Sequence, residues 1–149
     1  MRALGIDLGL RRIGLAVSDP SGTLARPLKT LLVARAGQGR ARVDSAIELV
    51  TREIRQLSAE EDGLGLIVVG VPTSLDGQVT AQTREVTAFM TALGCTTTLP
   101  IVGEDERLTS READERLALR ERDWAKRKLR LDSAAAAIIL QGYLDRKGA

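Results

Sequence analysis

The 149-residue chain contains no histidine and only one cysteine, Cys95. The absence of histidine removes the commonest general base and the commonest transition-metal ligand. One cysteine excludes an internal disulfide and a cysteine-based zinc site. Cys95 itself reads as a small buried apolar residue near the end of a helix. Aromatic residues make up 2% of the chain, so the core must be built from Leu, Ile, Val and Ala. That scarcity also argues against binding single-stranded bases on a row of aromatic rings. No apolar run approaches the roughly 18 residues of a membrane span. The N-terminus, MRALGIDLGL, turns polar at once and is not a signal peptide, so a cytoplasmic protein without a membrane partner is expected.

What is present is ordinary for a folded protein, with 44% hydrophobic and 28% charged residues. The length suits one domain, expected to span residues 1–149. Catalysis without histidine must use carboxylates, lysine, hydroxyls or a hard metal ion. The net charge of +2 says little about partners, but its distribution says more. Between Arg107 and Arg130 nine Lys/Arg face five Asp/Glu, an excess that could follow a phosphate backbone.

Ala3–Asp7 reads as a short strand ending in a carboxylate, and Arg12–Val17 as a second with alternating Ile13, Leu15 and Val17. Ser18–Gly22 is a turn, and a third strand is expected within Leu24–Leu32, where Pro27 confines it to an edge or a bulge. Val43, Ile47, Val50, Ile54 and Leu57 mark one face of a helix. After Gly63 and Gly65, the run Leu66–Val69 suits a central strand. Val79, Val86, Met90 and Leu93 mark a second helix, and Pro100–Glu104 a fifth strand. Thr109 and Glu112 form a capping box that opens a further helix, and Asp132–Leu144 reads as the last one. The expected fold class is α/β, a mixed sheet whose first three strands form an antiparallel meander, with helices on its faces.

Asp7 is the first candidate for chemistry, a carboxylate at the carboxyl end of the first strand, where α/β sheets commonly bind ligands. Gly9 behind it would let a phosphate or metal approach the backbone. Glu104, Asp105 and Glu106 are three consecutive carboxylates at the end of the fifth strand, costly to assemble unless cations bind there. Strand alternation prevents all three from sharing a face. Asp132 opens an otherwise apolar or small helix, where N-capping alone would explain it. Together these acids suit hard cations that prefer oxygen ligands. Two magnesium ions held by such a set can drive phosphodiester hydrolysis. Arg11 and Arg12 are either a solvated hairpin or phosphate contacts, and Asp76-Gly77 turns a loop at the same sheet edge. Trp124 reads as a helix-packing anchor, or else as an exposed stacking residue.

Four blocks carry a family resemblance: GIDLGLRRIGLAVSD (5–19), VVGVPTSLDGQ (68–78), EDERLTSREA (104–113) and DSAAAAIIL (132–140). In order and spacing they resemble the YqgF/RuvX family of bacterial pre-16S rRNA nucleases, also described as Holliday junction resolvase-like. Thr73-Ser74 departs from the family pattern, as does the Gly-rich stretch from Ala34 to Gly39. The resemblance implies a ribonuclease H-like fold with a five-stranded mixed sheet. It implies a metal-dependent endonuclease that matures the 5′ end of pre-16S rRNA, using Mg2+ or Mn2+. Carried over, the metal-binding and catalytic acids fall on Asp7, Glu106 and Asp132, with Asp105 the alternative to Glu106. Arg107 and Thr109 complete the same motif and, with Arg12, would contact substrate.

Three other readings stand beside this one. GIDLG also opens actin-like ATPase and sugar-kinase folds, but those need two such domains around one nucleotide. A ribosome-associated factor could bind structured RNA without cutting it. A resolvase could cut branched DNA, and would then be expected to dimerise. The chain has no evident dimer seam, so a monomer or at most a weak dimer is expected.

Overall fold

Apolar residues at alternate positions of Arg2–Leu8 (β1) bury both faces of one strand, which makes it the centre of the sheet. The computed structural model describes residues 1–9, 11–33, 40–73, 76–105 and 124–148, with only the backbone described for 124–132. Arg12–Ser18 (β2) and Ala25–Leu32 (β3) follow β1 as an antiparallel meander. Arg40–Ala59 (α1) then leads to Leu64–Val71 (β4), parallel to β1. Ala81–Gly94 (α2) leads to Ile101–Asp105 (β5), parallel to β4. Trp124–Gly148 (α3) is the last described element. The strand order is β3-β2-β1-β4-β5, so the expected five-stranded mixed α/β sheet is present.

Pleating divides the core. Leu4, Ile6, Leu15, Ile67 and Val69 face α1 and α2, while Ala3, Ala16 and Val68 face α3. Phe89, the one phenylalanine, is fully buried on the α1–α2 side. Pro27 lies on an edge strand and beside a register shift, so both devices expected for it occur together.

Four local expectations need correction. Val79 does not belong to the face of α2; Thr80 and Thr83 cap the helix reciprocally, α2 starts at Ala81, and Val79 is 63% exposed. Gly65 lies inside β4 rather than before it, with its α-carbon side against Met1. Cys95 is exposed at the C-cap of α2 rather than buried. Asp132 is no N-cap. The helix extends upstream through WAKRKLRL, a run of strong helix formers, and Asp132 lies well inside α3.

Arg2 is buried where the sequence offered no reason to expect it. Its Nη2 donates to Leu57 O at 3.1 Å and Glu60 Oε2 at 2.9 Å, and its Nε to Gly63 O at 3.1 Å. It therefore ties the end of α1 to the start of β1 and satisfies carbonyls that the helix end leaves open. Arg2→Ala is expected to destabilise the fold by about 2–4 kcal/mol, because buried acceptors lose their only charged donor. Urea denaturation measures this, and an unchanged midpoint would refute the role.

Candidate functional site

Asp7 occupies the penultimate position of β1, half-buried, opposite Gly14 of β2. By the alternation that sends Ala3 and Gly5 toward α3, Asp7 belongs to the α3 face of the sheet. β1 and β4 pair in parallel up to Ile6–Val69, and β4 pairs with β5 at Gly70–Glu104 and Val71–Asp105. The carboxyl ends of β1, β4 and β5 thus line one edge, as the sequence led us to expect for ligand binding.

Gly9 has a different reason from the one expected. Its N–H donates to Arg12 O at 2.8 Å, and a Cβ on it would stand 2.6 Å from that carbonyl. The close approach that needs glycine is made by the chain itself, which closes the β1–β2 turn. Arg12 is half-buried and engaged, and Arg11 is exposed.

The acidic run at the end of β5 divides. Glu104 is 4% exposed and faces α3, where both terminal nitrogens of Arg146 donate to its two carboxylate oxygens. These hydrogen bonds and the Glu104 charge push the Arg146 pKa further above its ordinary value, with the nearby Asp105 charge adding to the effect. Glu104 therefore clamps the end of α3 to β5. The partners are far apart in sequence, so nothing in the sequence alone signals the pair. Asp105 is exposed and, by pleating, lies on the face opposite Asp7. Glu106, Arg107, Thr109, the Thr109–Glu112 capping box and most of the basic stretch lie outside the described residues.

α3 packs closely on β1. A Cβ on Gly5 would meet Leu140 Cβ at 2.8 Å and Ala136 O at 3.0 Å. Further back along β1, Ala3 N donates to Ser18 Oγ at 2.8 Å, and Ser18 pairs with Ala25, whose N–H donates to Gln141 Oε1 at 2.8 Å. Asp132 sits one helical turn before Ala136 on the same stripe as Ala136 and Leu140.

The loop after β4 turns as expected, with Gly77 at φ 82° and Gln78 N donating to Asp76 Oδ1 at 3.2 Å. It also holds a residue whose role the sequence did not disclose. The Oγ1 of Thr73 is buried and has no partner among the described residues. Among the described residues no group of three or more metal-ligating side chains is gathered. Of the three proposed acids, Asp7 is the one whose side chain is described. An oxygen-only donor set, with no histidine in the chain, fits a hard divalent cation. No described helix is long and apolar enough to cross a membrane.

A family model described as RuvX, Holliday junction resolvase, matches residues 1–146. Proteins named "Putative pre-16S rRNA nuclease" are similar over nearly the full length. The one from Koribacter versatilis is 40% identical over 147 residues, covering 99% of this chain and 88% of its own. That from Maridesulfovibrio salexigens is 39% identical over 146 residues, covering 98% and 99%. Among solved structures, Thermus thermophilus RuvC superposes with a TM-score of 0.59 at 16% identity, covering 99% of this chain and 97% of RuvC. RuvC in complex with a Holliday junction substrate gives 0.60 at 17% identity, covering 99% and 96%. At that identity the likeness establishes the fold, the ribonuclease H-like arrangement expected from the sequence.

Proposed function

Because the chain belongs to the RuvX family, whose relatives are nucleases by name, we propose that it is a metal-dependent endonuclease acting on the 5′ region of pre-16S rRNA. The observation that carries the reading is Asp7, half-buried at the carboxyl end of the central strand on the face toward α3. Asp132 supports it, because its position inside α3 removes the capping role that would otherwise account for it.

Asp7, Glu106 and Asp132 would hold one or two Mg2+ or Mn2+ ions. Glu106 is preferred over Asp105, since pleating turns Asp105 toward the face opposite Asp7. Bound divalent ions supply a water of lowered pKa and neutralise charge on the leaving oxygen. The chain's part is to hold the acids ionised and close, to hold the phosphate with Arg12, Arg107 and Thr109, and to fix α3 through Gly5 and Glu104. Residues 1–149 act as one nuclease domain, as a monomer or weak dimer, in the cytoplasm where ribosomal precursors are processed.

The test is cleavage of a 5′-extended pre-16S rRNA fragment with Mg2+, Mn2+ or chelator. Cutting that chelator stops and either ion restores is expected; cutting that persists in chelator would refute the metal-dependent reading. The description of the family as a Holliday junction resolvase favours one second reading, branched DNA as substrate. A four-way DNA junction in the same assay decides between them. A folded protein that binds but cuts neither would be a non-catalytic RNA-binding factor.

A further inference from the structure

We propose that the groove between α1 and α2 carries the phosphate backbone of the nucleic acid substrate beyond the cleavage site, with Arg40 and Arg84 as its phosphate-binding side chains. The inference rests on the nuclease reading above and adds to it a binding surface outside the basic 107–130 stretch.

Topology brings this surface to the Asp7 edge. β3 and β4 run in the same direction as β1, so α1 and α2, which follow them, both begin at the edge that carries Asp7. Arg40, Val43, Asp44, Arg84, Glu85 and Ala88 line the groove between the helices. A small cleft beneath the turn after Asp7 contains Leu8, Gly9, Arg42, Val43 and Glu85. Val43 and Glu85 line both, so the groove and the turn after Asp7 are neighbours.

The charges are sorted for a polyanion. Arg42 pairs with Glu85, which neutralises one acid of the groove and braces α1 against α2. Arg40 and Arg84 are exposed, and neither takes part in an ion pair or side-chain hydrogen bond among the described residues. Asp44 is the remaining acid of the groove. Arg11 adds a further exposed cation across the turn, held where Val33 N donates to Arg11 O at 2.9 Å. The positive ends of two helix dipoles lie at the same edge and act in the same sense. The groove floor of Val43 and Ala88 offers no aromatic ring for base stacking and no fixed amide for reading base edges. Such a surface recognises the sugar–phosphate backbone irrespective of sequence.

The test uses Asp7→Asn as the parent, so that binding is read without cleavage, and a fluorescent 5′-extended pre-16S rRNA fragment as the probe. Affinity is measured by anisotropy over a range of potassium chloride concentrations. Arg40→Gln with Arg84→Gln is expected to weaken binding by about 5- to 30-fold and to lower the slope of log Kd against log salt by about 1 to 2. Arg52→Gln with Arg55→Gln removes the same charge further along α1 and is expected to change Kd by less than about two-fold. Circular dichroism checks that each variant is folded. An unchanged Kd and slope in the Arg40/Arg84 variant would overturn the proposal, and so would an equal loss in both pairs, which would report overall charge alone. A parent that binds neither this RNA nor a DNA junction would instead overturn the nuclease reading itself.

Discussion

Replacing Asp7 by Asn is expected to lower the rate of RNA cleavage by about 10³-fold or more, while leaving the fold and RNA binding nearly intact. Removing one side chain from a catalytic unit typically forfeits most of that unit's effect, because its members act together. The substitution is close to isosteric, and Asp7 lies on a strand whose pairing with Gly14 uses backbone groups alone. Stability should therefore change little. Rate under single-turnover conditions, with Tm and RNA affinity measured in parallel, separates the outcomes. Activity within about ten-fold of the parent would remove Asp7 from the metal site.

Gly5 carries the second large effect, and it links packing to chemistry. A Cβ there meets Leu140 Cβ at 2.8 Å and the backbone oxygen of Ala136 at 3.0 Å. The side chain could shift, but the backbone oxygen moves only if α3 moves. Gly5→Ala is expected to cost about 1–3 kcal/mol, and Gly5→Val more, as overpacked core positions generally do. For a chain of this size that lowers Tm by roughly 3–10 °C. If Asp132 on α3 shares the metal site with Asp7, the activity loss should exceed what the unfolded fraction explains. Misplacement of catalytic groups by about 1 Å can cost on the order of 100-fold. A Gly5→Val variant that is fully folded and fully active would show that the spacing of α3 from β1 does not set the site.

The parts of this fold that were legible in the sequence are those specified locally. Alternation in Arg12–Val17 and the apolar run at Leu66–Val69 gave strands because a half-buried or central strand leaves a period-two or continuous apolar pattern. Pro27 marked the edge strand because it cannot donate within a ladder. Asp7 was visible because an acid at a strand end before a glycine turn is an uncommon local pattern. The features that were not legible depend on distant partners. Arg2 gave no sign that it would be buried under the end of α1, and Glu104 none that it would pair with Arg146. The N-terminal bound of α3 was misplaced because Asp132 is a good cap in isolation, while WAKRKLRL ahead of it has the stronger helical preference. The groove arginines were missed because Arg40 and Arg84 come together only when α1 packs on α2.

The most direct test of the site is Mn2+ binding to the folded protein, followed by titration calorimetry or electron paramagnetic resonance, in the parent, Asp7→Asn and Asp132→Asn. If the two acids hold the same ion, each substitution is expected to weaken Mn2+ binding by about 10-fold or more, comparably in the two variants, without loss of fold. Undiminished Mn2+ binding in either variant would contradict a metal centre shared between the end of β1 and the interior of α3.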